Sequence, residues 1–350
     1  MSFTETKRRE IRNYILTKID ENDPAFIAKT VDAFSISGTS VRRYIDSLTS
    51  DGHIFTKSGR ECGYDLISQQ NDLRYDISHI TDREDSIIFN DILPLLSVNE
   101  SAKRIWCYVI TEMFNNAIEH SEGRIVRAHV FRNILYTRIV LEDDGVGIFN
   151  KVMDTLKERG NPDPLIEDAV AELYKGKFTS APDRHTGEGI FFSMRMMDRF
   201  AIASDGNVLR NGYDGEPAVV RSHLLAYAMK FSDKGTIVIM QLNNETKRTP
   251  AEVFREYSDI DEGFFKTRIP VLEACMGRDP VARSQARRLS GRLDDFREVV
   301  LDFANVDMMG QGFANEMFRV YQNAHPGVVL TPVNMNEFVT MMYYHAVNTK

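Results

Sequence analysis

Cysteine is scarce in this 350-residue chain: the three present, Cys62, Cys107 and Cys275, lie far apart, with no metal-type spacing among themselves or with the eight histidines. That argues against a disulfide scaffold or a zinc module and for reduced, core-type thiols. Long apolar runs are missing as well. No stretch approaches the roughly 18 apolar residues that a membrane span needs, and the charged start Lys7-Arg8-Arg9 leads into a helical pattern broken by Lys18 and Asp20, not into a signal-peptide core. A cytoplasmic protein with no membrane partner is therefore expected. Net positive charge is absent too: at −8 the chain is no nucleic-acid coat. What is left, 43% hydrophobic and 27% charged residues, is the balance of an ordinary soluble protein with length for two or three domains.

The charge is unevenly spread. Residues 1–70 hold ten Lys/Arg and ten Asp/Glu, so the whole excess of acid sits on the remaining 280. A neutral segment touches DNA only through a local basic face. Within it, Ile11, Tyr14, Ile15 and Ile19 fall at helical spacing, Asp23-Pro24 offers an N-cap and a first-turn proline for a helix Ala25–Phe34, and Thr39–Leu48 places Val41, Tyr44, Ile45 and Leu48 on one face. Residues 53–66 read as a two-stranded ribbon around Lys57-Ser58-Gly59-Arg60. Three helices and a hairpin in that order resemble a winged helix-turn-helix. The resemblance implies that Thr39, Ser40, Arg42 and Arg43 face duplex DNA while Lys57 and Arg60 hold backbone phosphates, with a dimer needed for tight binding. The alternative is a small protein-binding module whose arginines are solvated.

The strongest pattern begins at Thr111-Glu-Met-Phe-Asn-Asn-Ala-Ile-Glu-His120 on a predicted helix. Glu112, Asn116 and His120 recur every four residues, so three polar groups share one stripe, which is expensive against a core and suited to a ligand. Strands over 124–130 and 135–141 follow and run into Glu142-Asp-Asp-Gly-Val-Gly-Ile148, a tight loop that can present Asp143 to an exocyclic amine. Then His185-Thr-Gly-Glu-Gly-Ile-Phe-Phe192 opens a helix whose glycine amides suit phosphate oxygens. Each motif alone is weak.

In that order they resemble the N, G1 and G2 boxes of the ATPase fold shared by gyrase, Hsp90, histidine kinases and MutL, here called the GHKL fold, over roughly residues 85–243. The histidine closing the first box is most similar to the anti-sigma-factor serine kinases. The resemblance implies ATP and Mg²⁺ as cofactors, Glu112 as general base, Asn116 as the Mg²⁺ ligand with His120 beside it, and Asp143 as the adenine-reading carboxylate. Gly145 and Gly147 would flank adenine, Gly187, Glu188 and Gly189 the phosphates, and Thr236 the late strand. The 38 residues between Ile148 and Gly187 would form a mobile lid, in which Lys175, Lys177 and His185 either meet the γ-phosphate or are ordinary surface charge. His79, without a long helix around it, is expected to be a surface histidine and not a phosphoacceptor.

From Thr249 a polar break precedes alternating strands and helices: a strand 264–272, a helix from Asp279-Pro280 to about Leu293, a strand 299–303, a helix 312–323, a strand 328–330 and a helix 336–344 whose Met341, Met342, Tyr343 and Tyr344 read as core. The run 299–318 resembles the strand-turn-helix of STAS domains, the anti-sigma antagonist fold. There the turn carries the serine a partner kinase phosphorylates, but no Ser or Thr occurs between Gly291 and Leu330. The expected architecture is a multidomain α+β and α/β chain: winged helix 1–70, GHKL α/β sandwich 71–248, linker and STAS-like domain 249–350. The expected function is a nucleotide-switched transcriptional regulator with ATPase activity. A serine/threonine kinase acting on a separate STAS or sigma-factor-type partner, or an ATPase subunit of a larger assembly, are the alternatives.

Overall fold

The computed structural model describes residues 3–57, 63–77, 80, 84–179, 186–213 and 215–348. Helices α1 (Glu5–Asp20), α2 (Phe26–Phe34) and α3 (Gly38–Ser50) open the chain, followed by the antiparallel pair β1 (Ile54–Thr56) and β2 (Tyr64–Leu66). Ser37 caps α3, its Oγ accepting from the Ser40 amide at 3.1 Å. The apolar stripes meet as read: Ile11, Ile15, Ile19, Val41, Ile45 and Leu48 are buried in one small core. The start of α2 differs. Asp23 Oδ1 accepts from Ala25 N at 3.0 Å, and this turn holds Pro24 outside a helix that begins at Phe26. The unit rests on the next sheet, where Tyr136 donates from its hydroxyl to Asp20 at 3.0 Å.

The central sheet is six-stranded and antiparallel throughout, in the order β3-β4-β5-β8-β6-β7. Its strands are β3 (Gln69–Asp76), β4 (Ile125–Arg132), β5 (Tyr136–Asp143), β6 (Arg199–Ser204), β7 (Asn207–Asn211) and β8 (Ile237–Asn243). After β3, α4 (Glu84–Ile87) widens into a π-helical turn, Ile88–Ile92, and then tightens into a 3₁₀ turn around Pro94 before α5 (Glu100–His120). Then come α6 (Ile148–Glu158), α7 (Ile166–Lys175), α8 (Gly189–Met196) and α9 (Pro217–Ala228). Strand alternation sorts the faces: Ile139, Leu141, Val238 and Met240 join the large core with α5 and α8, whereas Val140, Ala201, Ile237 and Ile239 join a smaller one under α9. The interval read as a mobile lid is mostly packed structure, because α7 buries Ala169, Val170, Ala171, Leu173 and Tyr174.

The last third holds α10 (Pro250–Tyr257), the short pair β9 (Ser258–Asp259) and β10 (Gly263–Phe264), then β11 (Lys266–Pro270), α11 (Val271–Ala274), α12 (Arg283–Ser290) and β12 (Glu298–Asp302). After these, α13 (Gln311–Asn315) runs through a π-helical stretch into α14 (Gln322–Ala324), and β13 (Val329–Val333) and α15 (Glu337–Asn348) close the chain. Strands β11, β12 and β13 form a parallel sheet in chain order. The expected strand 264–272 divides, since Val271 already turns into α11. The helix expected at Pro280 starts at Arg283, for Asp279 Oδ1 is held by the amides of Asp307 and Met308 at 3.0 and 3.3 Å. In α15 the buried line is Val339 and Ala346. Met341 and Tyr344 fall off that line and are exposed, so they are not core.

Buried apolar residues form one cluster from Ile77 to Ala346, so packing is continuous across residue 249. No helix among the described residues is long and apolar enough to cross a membrane.

Candidate functional site

Helix α5 starts on a firm cap, Asn99 Oδ1 accepting from Ala102 N at 2.8 Å. Ile105, Trp106, Val109, Met113 and Phe114 fix its rotation by entering the core. That rotation turns the stripe of Glu112, Asn116 and His120 toward a cavity of about 300 Å³. Asp143, at the end of β5, lines the same cavity and is only 6% exposed. Its Oδ1 accepts from the amides of Gly145 at 2.9 Å and Thr236 at 3.3 Å, yet burial pushes the carboxyl up to about 6. Thr236 in turn accepts from Ile148 N at 3.0 Å, tying the start of α6 to β8.

Two glycines have steric reasons. Gly147 sits at φ +85°, where a Cβ would also lie 2.4 Å from Ser204 Oγ. At Gly189, the first residue of α8, a Cβ would lie 2.1 Å from Glu112 Oε2, so no side chain fits between that helix and the carboxylate. Burial raises the pKa of the neighbouring Glu188, with Lys177 opposing the shift.

The cavity thus gathers Glu112, Asn116, His120, Asp143, Gly147, Gly187, Glu188, Gly189 and Thr236, which are spread over 125 positions of sequence. Gly145 stands behind, its amide on Asp143. His185 and Arg60 lie outside the described residues.

The lysines turn the other way. Lys175 is 1% exposed, and its Nζ donates to Glu172 at 2.7 Å and to the carbonyls of Arg288 at 3.0 Å and Gly291 at 2.6 Å; burial pulls its pKa down. Lys177 donates to the Asp295 carbonyl at 2.7 Å and lies 4.6 Å over the Phe296 ring. Neither lines the cavity; both hold the end of α7 and the residues after it to α12 and the turns that follow it. Sequence reasoning also missed Lys151, Phe178, Thr179 and Thr186 among the lining residues. The available signal for Lys151 was its place four residues after Gly147, one turn into α6.

In the N-terminal unit Thr39, Arg42 and Arg43 are exposed on α3 and Ser40 is half-buried beside Ser37. Lys57 donates to Asn22 Oδ1 at 2.6 Å and pairs with Asp65 at 3.5 Å, so a phosphate would compete with contacts inside the unit.

Residues 285–340 match the family model of a STAS-like domain of unknown function (DUF4325), so the C-terminal segment is STAS-like. No curated protein is a significant match to the chain. In the segment's turn, Gly310 N donates to the Pro280 carbonyl at 2.9 Å, and a Cβ at Gly310 would lie 2.3 Å from the Val281 carbonyl oxygen.

Proposed function

We propose that this chain is an ATP- and Mg²⁺-binding regulator of the GHKL type, in which nucleotide occupancy acts on the STAS-like segment and on an N-terminal DNA-binding unit. The observation that carries the reading is the single cavity in which the α5 stripe, the buried Asp143 and the Gly187–Gly189 loop come together. The residues suit the ligand. An ionised Asp143, already supplied with two backbone donors, accepts from an exocyclic amine. Asn116 offers one side-chain oxygen, enough for an ion that keeps its waters and is carried on nucleotide phosphates. Bound MgATP would supply the reactive phosphoanhydride. Glu112, held against the start of α8, is placed to take the proton of an attacking hydroxyl or water.

The link to the STAS-like segment is α7 with the residues after it. Leu173 and Phe178 line the cavity, while Lys175 and Lys177 are bonded to carbonyls at 288, 291 and 295. At the other end, the Tyr136–Asp20 bond ties the central sheet to α1, which packs in the same small core as α3, the helix that carries Arg42 and Arg43. A serine/threonine kinase acting on a separate STAS protein is the second reading, favoured by the missing hydroxyl in this chain's own turn. Calorimetry with a non-hydrolysable ATP analogue and Mg²⁺ tests the common core of both. No binding by the wild type, or equal binding by Asp143→Asn, overturns it. Incubation with γ-labelled ATP, with and without STAS proteins, then separates the two: free phosphate alone favours the ATPase switch, and label on an added STAS protein favours the kinase.

A further inference from the structure

We propose that Thr179 of this chain is an intramolecular phosphoryl acceptor, taking the γ-phosphoryl group of ATP in the cavity. The proposal rests on the ATP reading above and adds the acceptor that reading leaves open. The STAS-like turn cannot serve, there being no Ser or Thr from 291 to 330. The cavity itself brings five among the described residues: Ser121, Thr155 and Thr236 are held in hydrogen bonds to backbone groups, and Thr179 and Thr186 stand at the loop. Thr179 is half-buried and lines it, on the side where the Gly187–Gly189 loop runs.

The loop fixes the neighbourhood. A Cβ at Gly187 would lie 2.5 Å from the carbonyl of Phe178, the residue before Thr179, and a Cβ at Gly189 would lie 2.1 Å from Glu112 Oε2. Chain segment 178–179 and the Glu112 carboxylate therefore stand against the same short loop, the one whose amides suit phosphate. Acceptor, base and phosphate seat are held together by packing.

The acceptor is also anchored among cations. Arg159 donates to the Thr179 carbonyl at 2.6 Å and lies 5.0 Å over the Phe178 ring. From the STAS-like side, Arg292 lies 5.6 Å over that same ring and donates to the Lys177 carbonyl at 2.8 Å and to Glu172 at 2.8 Å. In the step, Thr179 Oγ forms a bond to the γ-phosphorus, the bond from that phosphorus to the β–γ bridging oxygen breaks, ADP leaves with the electron pair, and the hydroxyl proton passes to Glu112. The product is a phosphothreonine of nearly two negative charges on a segment whose backbone carbonyls are held by Arg159 and, from the STAS-like segment, by Arg292, which also pairs with Glu172 and Asp295. That product would tighten the joint between cavity and STAS-like segment.

The test uses the full chain with γ-labelled ATP and Mg²⁺, site mapping by mass spectrometry, and calorimetry with a non-hydrolysable analogue on the same preparations. Expected are label on Thr179, an initial rate per molecule independent of protein concentration, at least a tenfold loss of label per bound nucleotide in Thr179→Val, and label retained in Thr179→Ser, which guards against a folding defect in the valine variant. Nucleotide bound but label absent, label on Thr186 or another residue, or a rate that rises with protein concentration overturns the proposal and leaves the ATP reading standing. Failure of the wild type to bind the analogue removes both.

Discussion

Asp143→Asn is expected to do two opposite things: remove nucleotide binding and stabilise the empty protein. Both follow from one burial. The carboxyl is driven from 3.8 to about 6, so its charge at pH 7.5 costs the fold about 3 kcal/mol relative to an unperturbed aspartate. Asparagine carries no charge, and its Oδ1 can keep both donors, since the Gly145 and Thr236 amides point at Oδ1 alone. Its amide nitrogen needs an acceptor toward the cavity, which reduces the gain to roughly 1–2 kcal/mol. The sign across pH is fixed by the raised value. The folded state holds the proton more tightly, so wild-type stability from this group rises as pH falls through 6; protonation relieves about 1.4 kcal/mol of the cost by pH 5, so the variant's advantage is full above about pH 6 and nearly gone at pH 5.

Thermal unfolding at pH 7.5 and pH 5 reads the first effect, and calorimetry with an ATP analogue the second. Nucleotide affinity of the wild type should itself fall about tenfold from pH 7.5 to pH 5, because only the ionised carboxylate accepts from the adenine amine. An Asp143→Asn protein that melts lower than the wild type refutes the desolvation argument. One that binds ATP equally well refutes the adenine role.

Three further outcomes follow. Glu112→Gln should bind MgATP and lose turnover, whereas Asn116→Ala should lose the Mg²⁺-dependent part of the affinity; equal loss of binding in both would make Glu112 structural. Lys175→Met strands three acceptors, two of them carbonyls of the C-terminal segment, and should cost about 3 kcal/mol in urea unfolding; an unchanged midpoint would mean the joint is not a stability element. Full-length protein should bind duplex DNA with a shallow salt dependence, about 0.9 in log–log slope per phosphate contacted, and lose binding in Arg42→Ala/Arg43→Ala; no wild-type binding at low salt with or without ATP reassigns the N-terminal unit to protein recognition.

What sequence could show was what its own neighbours determine. Glu112, Asn116 and His120 share a stripe because four residues nearly complete a helical turn, and Asp143, Gly145 and Gly147 form a loop by their spacing alone. The direction of Lys175 was hidden because its partners lie 113 and 116 residues away. A lysine followed by Gly176 and Lys177 reads as a phosphate ligand or as surface until the chain that buries it is placed. The same limit misplaced α15: Met341 and Tyr344 are apolar by type, but only contact with α13 and the helical turn after it decides which side of the helix faces inward. Helix α9 went unread although Pro217 opens it, its buried residues, Leu224 and Ala228, being too few to set a period.

The position of α7 gives the proposed switch a mechanical form. Leu173 and Lys175 are two residues apart, so on a helix they point to nearly opposite sides. Leu173 lines the cavity, and Lys175 is bonded to the carbonyls of Arg288 and Gly291. One short rigid element therefore has a nucleotide face and a STAS-like face, and a ligand that shifts it must change both. Linkage makes the effect reciprocal: weakening the far face has to alter nucleotide affinity. Arg292 is the place to weaken it, because it bonds Glu172 of α7 and the Lys177 carbonyl without lining the cavity. Arg292→Ala should change the affinity for an ATP analogue by roughly fivefold or more, the lower end of ordinary coupling energies. Unchanged affinity in a folded variant would mean that the cavity and the STAS-like segment are packed together but not coupled.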